Sequence, residues 1–267
     1  SYSDPRGTFE VNVMGTANLL EAVRRAGNPC AVVVVTSDKC YEDQGRLPGC
    51  REDDPMGGHD PYSASKGCAE LVAASYRRAF FTPDRLAEHG VRLATARAGN
   101  VIGGGDWAAD RIIPDAVRHL LEARPVPVRN PHAVRPWQHV LEPLAGYLAL
   151  GRRLMGSDAA AFCTAWNFGP AAGADATVRE LVERFCADWG GGRWDDLSAA
   201  GALHETAVLR LCSDKAVRDL GWRPRWGLAE TIRRTAAWYY RYYQAPAASL
   251  RETSLNDIIA YSGHTFP

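Results

Sequence analysis

The run Ala31-Val-Val-Val-Val35 is apolar throughout and β-branched at four of its five positions. It does not alternate with polar residues, so it reads as a strand buried on both faces, the kind found inside a parallel sheet. Residues 62 to 81 follow with helical spacing, and Val91 to Ala98 is a second strand-like stretch. Strand, crossover helix and strand make a βαβ unit, whose parallel strands need helices over the sheet. The predicted fold class is therefore α/β.

The rest of the chain extends that pattern. Val11, Met14, Leu19, Leu20, Ala22 and Val23 give residues 8 to 27 an amphipathic helical spacing, ended by Gly27-Asn28-Pro29. A loop rich in Gly, Pro, Asp and Glu is expected over 43–61. Further on, the spacing predicts a short helix over 112–121 and a strand over 126–129. Arg135-Pro-Trp-Gln-His-Val140 leads into a helix through Leu154, Ala165–Phe168 reads as a strand, and helices are expected over 177–188 and 228–243. Two domains follow: a sheet domain of 1–105 with 133–170, and a smaller split lobe of 106–132 with 171–267.

Charge narrows the partners, because 31 basic and 31 acidic residues cancel. No run of like charge suggests a nucleic-acid or membrane face. The seven cysteines include no CxxC and no Cys/His pair with metal-ligand spacing, which predicts reduced thiols and no metal site. No apolar stretch approaches the ~18 residues that span a bilayer. A cytoplasmic protein with small-molecule ligands is expected.

Chemistry enters where the first strand ends, in Thr36-Ser37-Asp38-Lys39, and again at Tyr62-Ser-Ala-Ser-Lys66. A tyrosine and a lysine four apart on a helix share one face. The ammonium can then lower the phenol's pKa from about 10 towards neutrality, making it a base for a hydroxyl. Parallel sheets place their chemistry at the carboxyl ends of their strands, where Ser37, Asp38 and Lys39 would stand. Against this, Tyr62 and Lys66 taken alone read first as an ordinary helix pair, and Asp38 with Lys39 has the alternative of a solvated ion pair. Gly103-Gly-Gly105 and Gly190-Gly-Gly192 are the only glycine clusters, and neither has the setting of a phosphate turn. The chain begins at Ser1 and is read as the later part of a longer enzyme, a fragment whose first strands and Gly-rich turn lie elsewhere.

Several longer motifs carry a resemblance. They are Asn12-Val-Met-Gly-Thr-Ala-Asn-Leu-Leu-Glu21, Thr36-Ser-Asp-Lys-Cys-Tyr-Glu42, Asp60-Pro-Tyr-Ser-Ala-Ser-Lys66, Arg97-Ala-Gly-Asn-Val-Ile-Gly-Gly-Gly-Asp-Trp107, Asp110-Arg-Ile-Ile-Pro114, Arg135-Pro-Trp-Gln-His-Val-Leu-Glu-Pro143 and Trp166-Asn-Phe-Gly-Pro170. On these the chain closely resembles the extended short-chain dehydrogenase/reductase family and, within it, the CDP-glucose 4,6-dehydratase branch. Tyr-x-x-x-Lys marks only the superfamily; Gly-Gly-Gly-Asp-Trp and Arg-Pro-Trp-Gln-His are more specific.

The resemblance implies a Rossmann-like NAD-binding domain and a nucleotide-sugar lobe. It implies oxidation at C4 of CDP-glucose, loss of water across C5 and C6, and reduction at C6. Tyr62 would be the base at the C4 hydroxyl, Lys66 would lower its pKa and touch the nicotinamide ribose, and Ser37 would hold the same hydroxyl. Asn12 would support the lysine through water. Asp38 would protonate the departing C6 hydroxyl. Lys39 stands where sister dTDP-glucose dehydratases carry glutamate, and is either the C5 base or a cation beside the enolate. Arg129 and Arg135 are expected at the diphosphate, the latter alternatively paired with Glu142. Asn100 and Asn167 are expected near sugar and phosphates, and Trp107, Asp110 and Arg111 near the cytidine. A homodimer through the 8–27 and 62–81 helices is implied as well. The rival readings are another nucleotide-sugar dehydratase or epimerase, and a non-catalytic fragment that binds a nucleotide or a partner.

Overall fold

A computed structural model describes residues 1–42, 49–170, 175–198, 210–244 and 250–263. They belong to two units, residues 1–99, 143–169 and 209–223, and residues 100–142, 170–208 and 224–267.

The first unit is organised by a parallel sheet in which, among the described residues, Val91–Ala98 lies between Cys30–Val35 and Ala165–Phe168. Cys30 pairs with Val91 and Val35 with Ala96, while Thr95–Ala98 pairs with Ala165–Phe168 on the other side. Successive side chains of the middle strand point to opposite faces. Val91 and Leu93 pack with Leu20 and Ala73 from the helices Gly15–Ala26 and Pro61–Ala79. Ala94 and Ala96 pack on the other side with Leu150 and Leu154 of the helix Leu141–Leu154. Helices thus cover both faces, as a parallel sheet requires.

The strand expected over 31–37 ends at Val35, and its burial differs from the expectation. The middle strand is buried almost throughout, whereas Cys30–Val35 is half-buried and Val35 is 47% exposed. It has a described neighbour on one side only. The helix expected over 8–27 runs as Pro5–Phe9, a π-helical stretch Glu10–Met14 and Gly15–Ala26. Of the loop expected over 43–61, residues 43–48 lie outside the described residues.

The second unit packs the helices Ile112–Leu121, Val178–Trp189 and Leu228–Gln244 around Val117, Val126, Leu181, Phe185, Ile232 and Tyr239. Short parallel pairs join Val101–Ile102 to Gln138–His139 and Val126–Val128 to Trp194–Asp196. The helix Leu250–Ser262 has no apolar stripe to announce it, because polar links hold it. Arg234 pairs with Asp257 at 2.6 Å, Trp238 Nε1 donates to Ser254 Oγ at 3.1 Å, and the Tyr261 hydroxyl donates to Glu142 at 2.6 Å.

Unit boundaries follow such long-range links. Residues 209–223 join the sheet unit, where the Gly169 amide donates to Ser213 Oγ and Lys215 Nζ to the Ala165 carbonyl, both at 2.8 Å. Residues 133–142 join the second unit, where Gln138–His139 is paired with Val101–Ile102.

Candidate active site

Beyond Val35 the backbone stays extended through Ser37 and then tightens into a 3₁₀ turn, Asp38–Cys40. Ser37 holds that turn: its Oγ accepts from the Lys39 amide at 3.2 Å and donates to Asp38 Oδ1 at 3.0 Å. Ser37 and Asp38 are buried and Lys39 is exposed. A hydroxyl and a carboxyl are thereby fixed beside each other, next to an exposed cation.

The facing element is the helix Pro61–Ala79. Asp60 caps it, accepting from the amides of Tyr62 and Ser63 at 2.9 and 3.1 Å and from Ser63 Oγ at 2.5 Å, with Pro61 in the first helical position. Partial burial pushes the Asp60 carboxyl up, but these donors outweigh it and hold the carboxyl below its usual range. The cap fixes the first turn, and with it Tyr62. Lys66 shares the face of Tyr62, its Nζ 5.9 Å from the ring centroid. Burial lowers the Lys66 ammonium's pKa, and the neighbouring Cys40 thiol opposes that shift.

Helix and turn approach closely at Gly67. A Cβ there would meet the Cys40 and Gly57 carbonyl oxygens at 3.1 and 3.2 Å. The residue after Lys66 therefore has no side chain, and through Gly67 the helix abuts the turn that carries Ser37 and Asp38.

Asn12 lies in the π-helical stretch, a local widening common at functional sites. Its Nδ2 donates to Ser65 Oγ at 2.9 Å, and Ser65 Oγ donates to the Tyr62 carbonyl at 2.7 Å. The asparagine thus braces the helix at the residue before Lys66.

Asn167 is placed differently from the expectation of a ligand contact. It is wholly buried; its Oδ1 accepts from the Tyr41 hydroxyl at 2.7 Å, and its Nδ2 donates to the carbonyls of Cys50 and Cys212 at 3.0 and 3.2 Å. Its amide ties three chain segments together and is not presented to a ligand.

The remaining candidates belong to the second unit. The Asn100 carbonyl accepts from the Gln138 amide at 3.0 Å. Arg135 is buried, with Nη1 donating to the Val134 carbonyl at 3.0 Å. Glu142 takes the amides of Arg225 and Trp226 and the Tyr261 hydroxyl, and burial still pushes its carboxyl up. Arg129 and Asp110 form an ion pair at 2.6 Å with both side chains about three-quarters exposed. Arg111 stands 3.8 Å from Asp106 and is exposed. Trp107 packs among Trp238, Tyr239, Tyr242 and Tyr243, with centroids 4.9 to 6.4 Å away.

Sequence reasoning passed over Thr36, Tyr41, Glu70 and Arg97, which lie buried behind the turn. One signal was available: Arg97 is a charge inside an otherwise buried strand, and such a charge requires a partner.

The sequence profile of the NAD-dependent epimerase/dehydratase family matches residues 1–158. Over 239 residues the chain is 50% identical to the CDP-glucose 4,6-dehydratase of Salmonella typhimurium, covering 90% of this chain and 66% of that protein. A dTDP-glucose 4,6-dehydratase of Streptomyces antibioticus is 33% identical over 240 residues, 87% of this chain and 64% of that protein. Among solved structures, the dTDP-glucose 4,6-dehydratase of Streptomyces venezuelae with NAD bound matches with a TM-score of 0.74 at 26% identity, over 93% of this chain and 72% of that chain. The chain spans about two thirds of the length of the curated relatives it matches.

Proposed function

The chain belongs to the NAD-dependent epimerase/dehydratase family, with its Rossmann-like α/β fold, and from that premise we propose that it dehydrates CDP-glucose to CDP-4-keto-6-deoxyglucose. The observation that carries this reading is the convergence in the first unit. Tyr62 and the half-buried Lys66 share one helix face, and Gly67 lets the same helix close on the turn bearing Ser37 and Asp38. The identity to the Salmonella typhimurium CDP-glucose enzyme supports the choice of nucleotide.

A phenol and an ammonium on one face fit a ribose diol, so Tyr62 and Lys66 would hold the nicotinamide ribose of NAD. When bound, NAD supplies the reversible redox change at the sugar. Tyr62 takes the proton of the C4 hydroxyl while Ser37 holds that oxygen. The C4 ketone acidifies the C5 hydrogen, which Lys39 helps remove. Asp38, buried and hydrogen-bonded to Ser37, gives its proton to the departing C6 hydroxyl. Asn12 keeps the helix in place through Ser65.

The sheet unit is the cofactor side of this assignment, and the second unit holds the nucleotide sugar. Asn100, Asp110, Arg111, Arg129 and Arg135 are its ligand-binding residues, with the guanidinium groups of Arg129 and Arg135 at the diphosphate and Asp110 and Arg111 near the cytidine. The reading includes a homodimer, supported by Val11, Met14, Leu19 and Leu71, large apolar side chains exposed on the Pro5–Ala26 and Pro61–Ala79 helices. It also includes a cytoplasmic location; no described helix is long and apolar enough to cross a membrane.

The test is incubation of the purified chain with NAD and, separately, CDP-, dTDP- and UDP-glucose, with products identified by NMR. A 4-keto-6-deoxy sugar from CDP-glucose alone is expected. Product from dTDP-glucose but not CDP-glucose, or C4 inversion of UDP-glucose, overturns the assignment, and folded protein with no product from any of them favours the binding-fragment reading.

A further inference from the structure

Glu70 stands one helical turn beyond Lys66 and is buried, 4% exposed. Its carboxylate takes four donors: Arg97 Nε and Nη2 at 2.9 Å each, Thr95 Oγ1 at 2.7 Å and Thr36 Oγ1 at 2.5 Å. Arg97, equally buried, sends Nη1 to the Tyr41 hydroxyl at 2.5 Å and to the Glu52 carbonyl at 3.0 Å. The Tyr41 hydroxyl continues to Asn167, whose amide reaches the Cys50 and Cys212 carbonyls.

A buried ion pair is a poor way to gain stability, since apolar residues of similar volume often do as well. What a two-point guanidinium–carboxylate fork with every lone pair engaged supplies is one geometry. The placement of this network gives that geometry a purpose. Thr36 immediately precedes Ser37, and Tyr41 immediately follows the Asp38–Cys40 turn.

We propose that Glu70, Arg97, Tyr41 and Asn167 are positioning residues that clamp both ends of the Ser37–Lys39 turn and hold it in register with Tyr62 and Lys66. This rests on the catalytic assignment of Ser37, Tyr62 and Lys66 made above. At one end, Thr36 is tied to the helix a single turn from Lys66. At the other, Tyr41 is tied to two strands of the sheet through Arg97 and Asn167. Burial pushes the Tyr41 phenol up even against the charge of Arg97, so the hydroxyl keeps its proton and donates it to Asn167. None of the four needs to touch substrate for the clamp to act.

Tyr41→Phe and Thr36→Val each remove one hydroxyl while keeping the ring or the branch. Two readouts apply to the full chain. The first is turnover of CDP-glucose with NAD, where each variant should lose kcat about tenfold with KM little changed, as small misplacements of reacting groups do. Thr36→Ser should restore it. The second needs no turnover: the pH dependence of Lys66 acetylation by acetic anhydride, read by mass spectrometry. Freed of one tie, the turn admits water, and the Lys66 titration should move up towards the ordinary lysine range in both variants. If wild-type chain makes no product yet Lys66 shifts, the proposed reaction fails and the clamp stands. A Lys66 titration that stays in place in both variants overturns the clamp, whatever happens to kcat or stability. A loss borne by KM rather than kcat overturns it too.

Discussion

The turn after Val35 and the loop around Asp110 both carry candidate site residues, and they hold them in different ways. Ser37 and Asp38 are buried, hydrogen-bonded to each other and backed by a polar network with partners from several chain segments. Asp110, Arg111 and Arg129 stand in solvent, Arg129 and Asp110 paired with each other and Arg111 near the partly exposed Asp106. The difference matches what each proposed task demands. Proton transfer falls away within a fraction of an ångström, so its groups belong on a strand end and a capped helix. Attraction of a cation for a phosphate acts over several ångströms and tolerates a long side chain that must still find its partner.

The sharpest way to break that comparison is to cut the first region's network at its charge pair. Arg97→Met leaves the Glu70 carboxylate buried without its cation, and losing one partner of such a pair typically costs ~3–5 kcal/mol. Urea unfolding should show a loss of that size, or the variant should fail to fold. Arg97→Met combined with Glu70→Leu should recover most of it, because no charge is then stranded. A single-variant loss below about 1 kcal/mol would mean that water reaches the pair, and the contrast with the exposed arginines would disappear.

How far the two regions could be read in the sequence follows the same divide. The strands Val91–Ala98 and Ala165–Phe168 and the helix Ile112–Leu121 have the bounds that their apolar patterns predict, since local spacing decides them. Tyr62 and Lys66 were legible because four residues on a helix is itself a geometric statement. Asn167 was not. Its partners, Tyr41, Cys50 and Cys212, lie between 45 and 126 residues away, so spacing along the chain carries no trace of them. Leu250–Ser262 escaped notice for a related reason, being held by single polar links where an apolar stripe would have left a period. The π-helical stretch at Asn12 leaves the apolar pattern nearly intact while changing the local hydrogen bonding.

A second test asks whether the second unit is loose throughout or only at its arginines. His139 is buried, its ring 4.8 Å from that of Trp226, and its Nδ1 accepts from the Leu141 amide at 3.3 Å. Burial and then the charge of Arg234 lower its pKa to about 4, with Glu230 opposing. An unfolded histidine takes its proton near pH ~6.5. Above that value neither state is charged and the fold bears no cost. As the pH falls from there towards about 4, the unfolded chain binds a proton that the folded chain refuses, so stability declines by up to ~3 kcal/mol. Urea midpoints measured across this window should fall with acid, and His139→Asn, which keeps an acceptor for Leu141, should flatten the slope. An unchanged slope would show that the unit opens to solvent around this ring.

The smallest expected effect on stability, and the most informative about binding, lies at Arg129. Its pairing with Asp110 is fully accessible to water and salt, so Arg129→Ala should change the unfolding free energy by no more than ~0.5 kcal/mol. The proposed role predicts a separate effect: KM for CDP-glucose should rise several-fold with kcat nearly intact, since the lost contact is made equally before and during reaction. Asp110→Asn sharpens this further. Asp110 has a positive φ of 61°, which asparagine tolerates, so the substitution removes the charge while sparing the backbone. If Asp110 competes with a diphosphate for the guanidinium, its neutralisation should lower KM, most at low ionic strength and hardly at all at high salt. A KM that ignores both substitutions would take Arg129 out of the binding surface and leave the pair as solvent decoration. A KM that rises in one variant and falls in the other, with stability unmoved, would show that the second region holds its ligand by charge on exposed side chains and needs none of the enclosure that the proposed role of Ser37 requires.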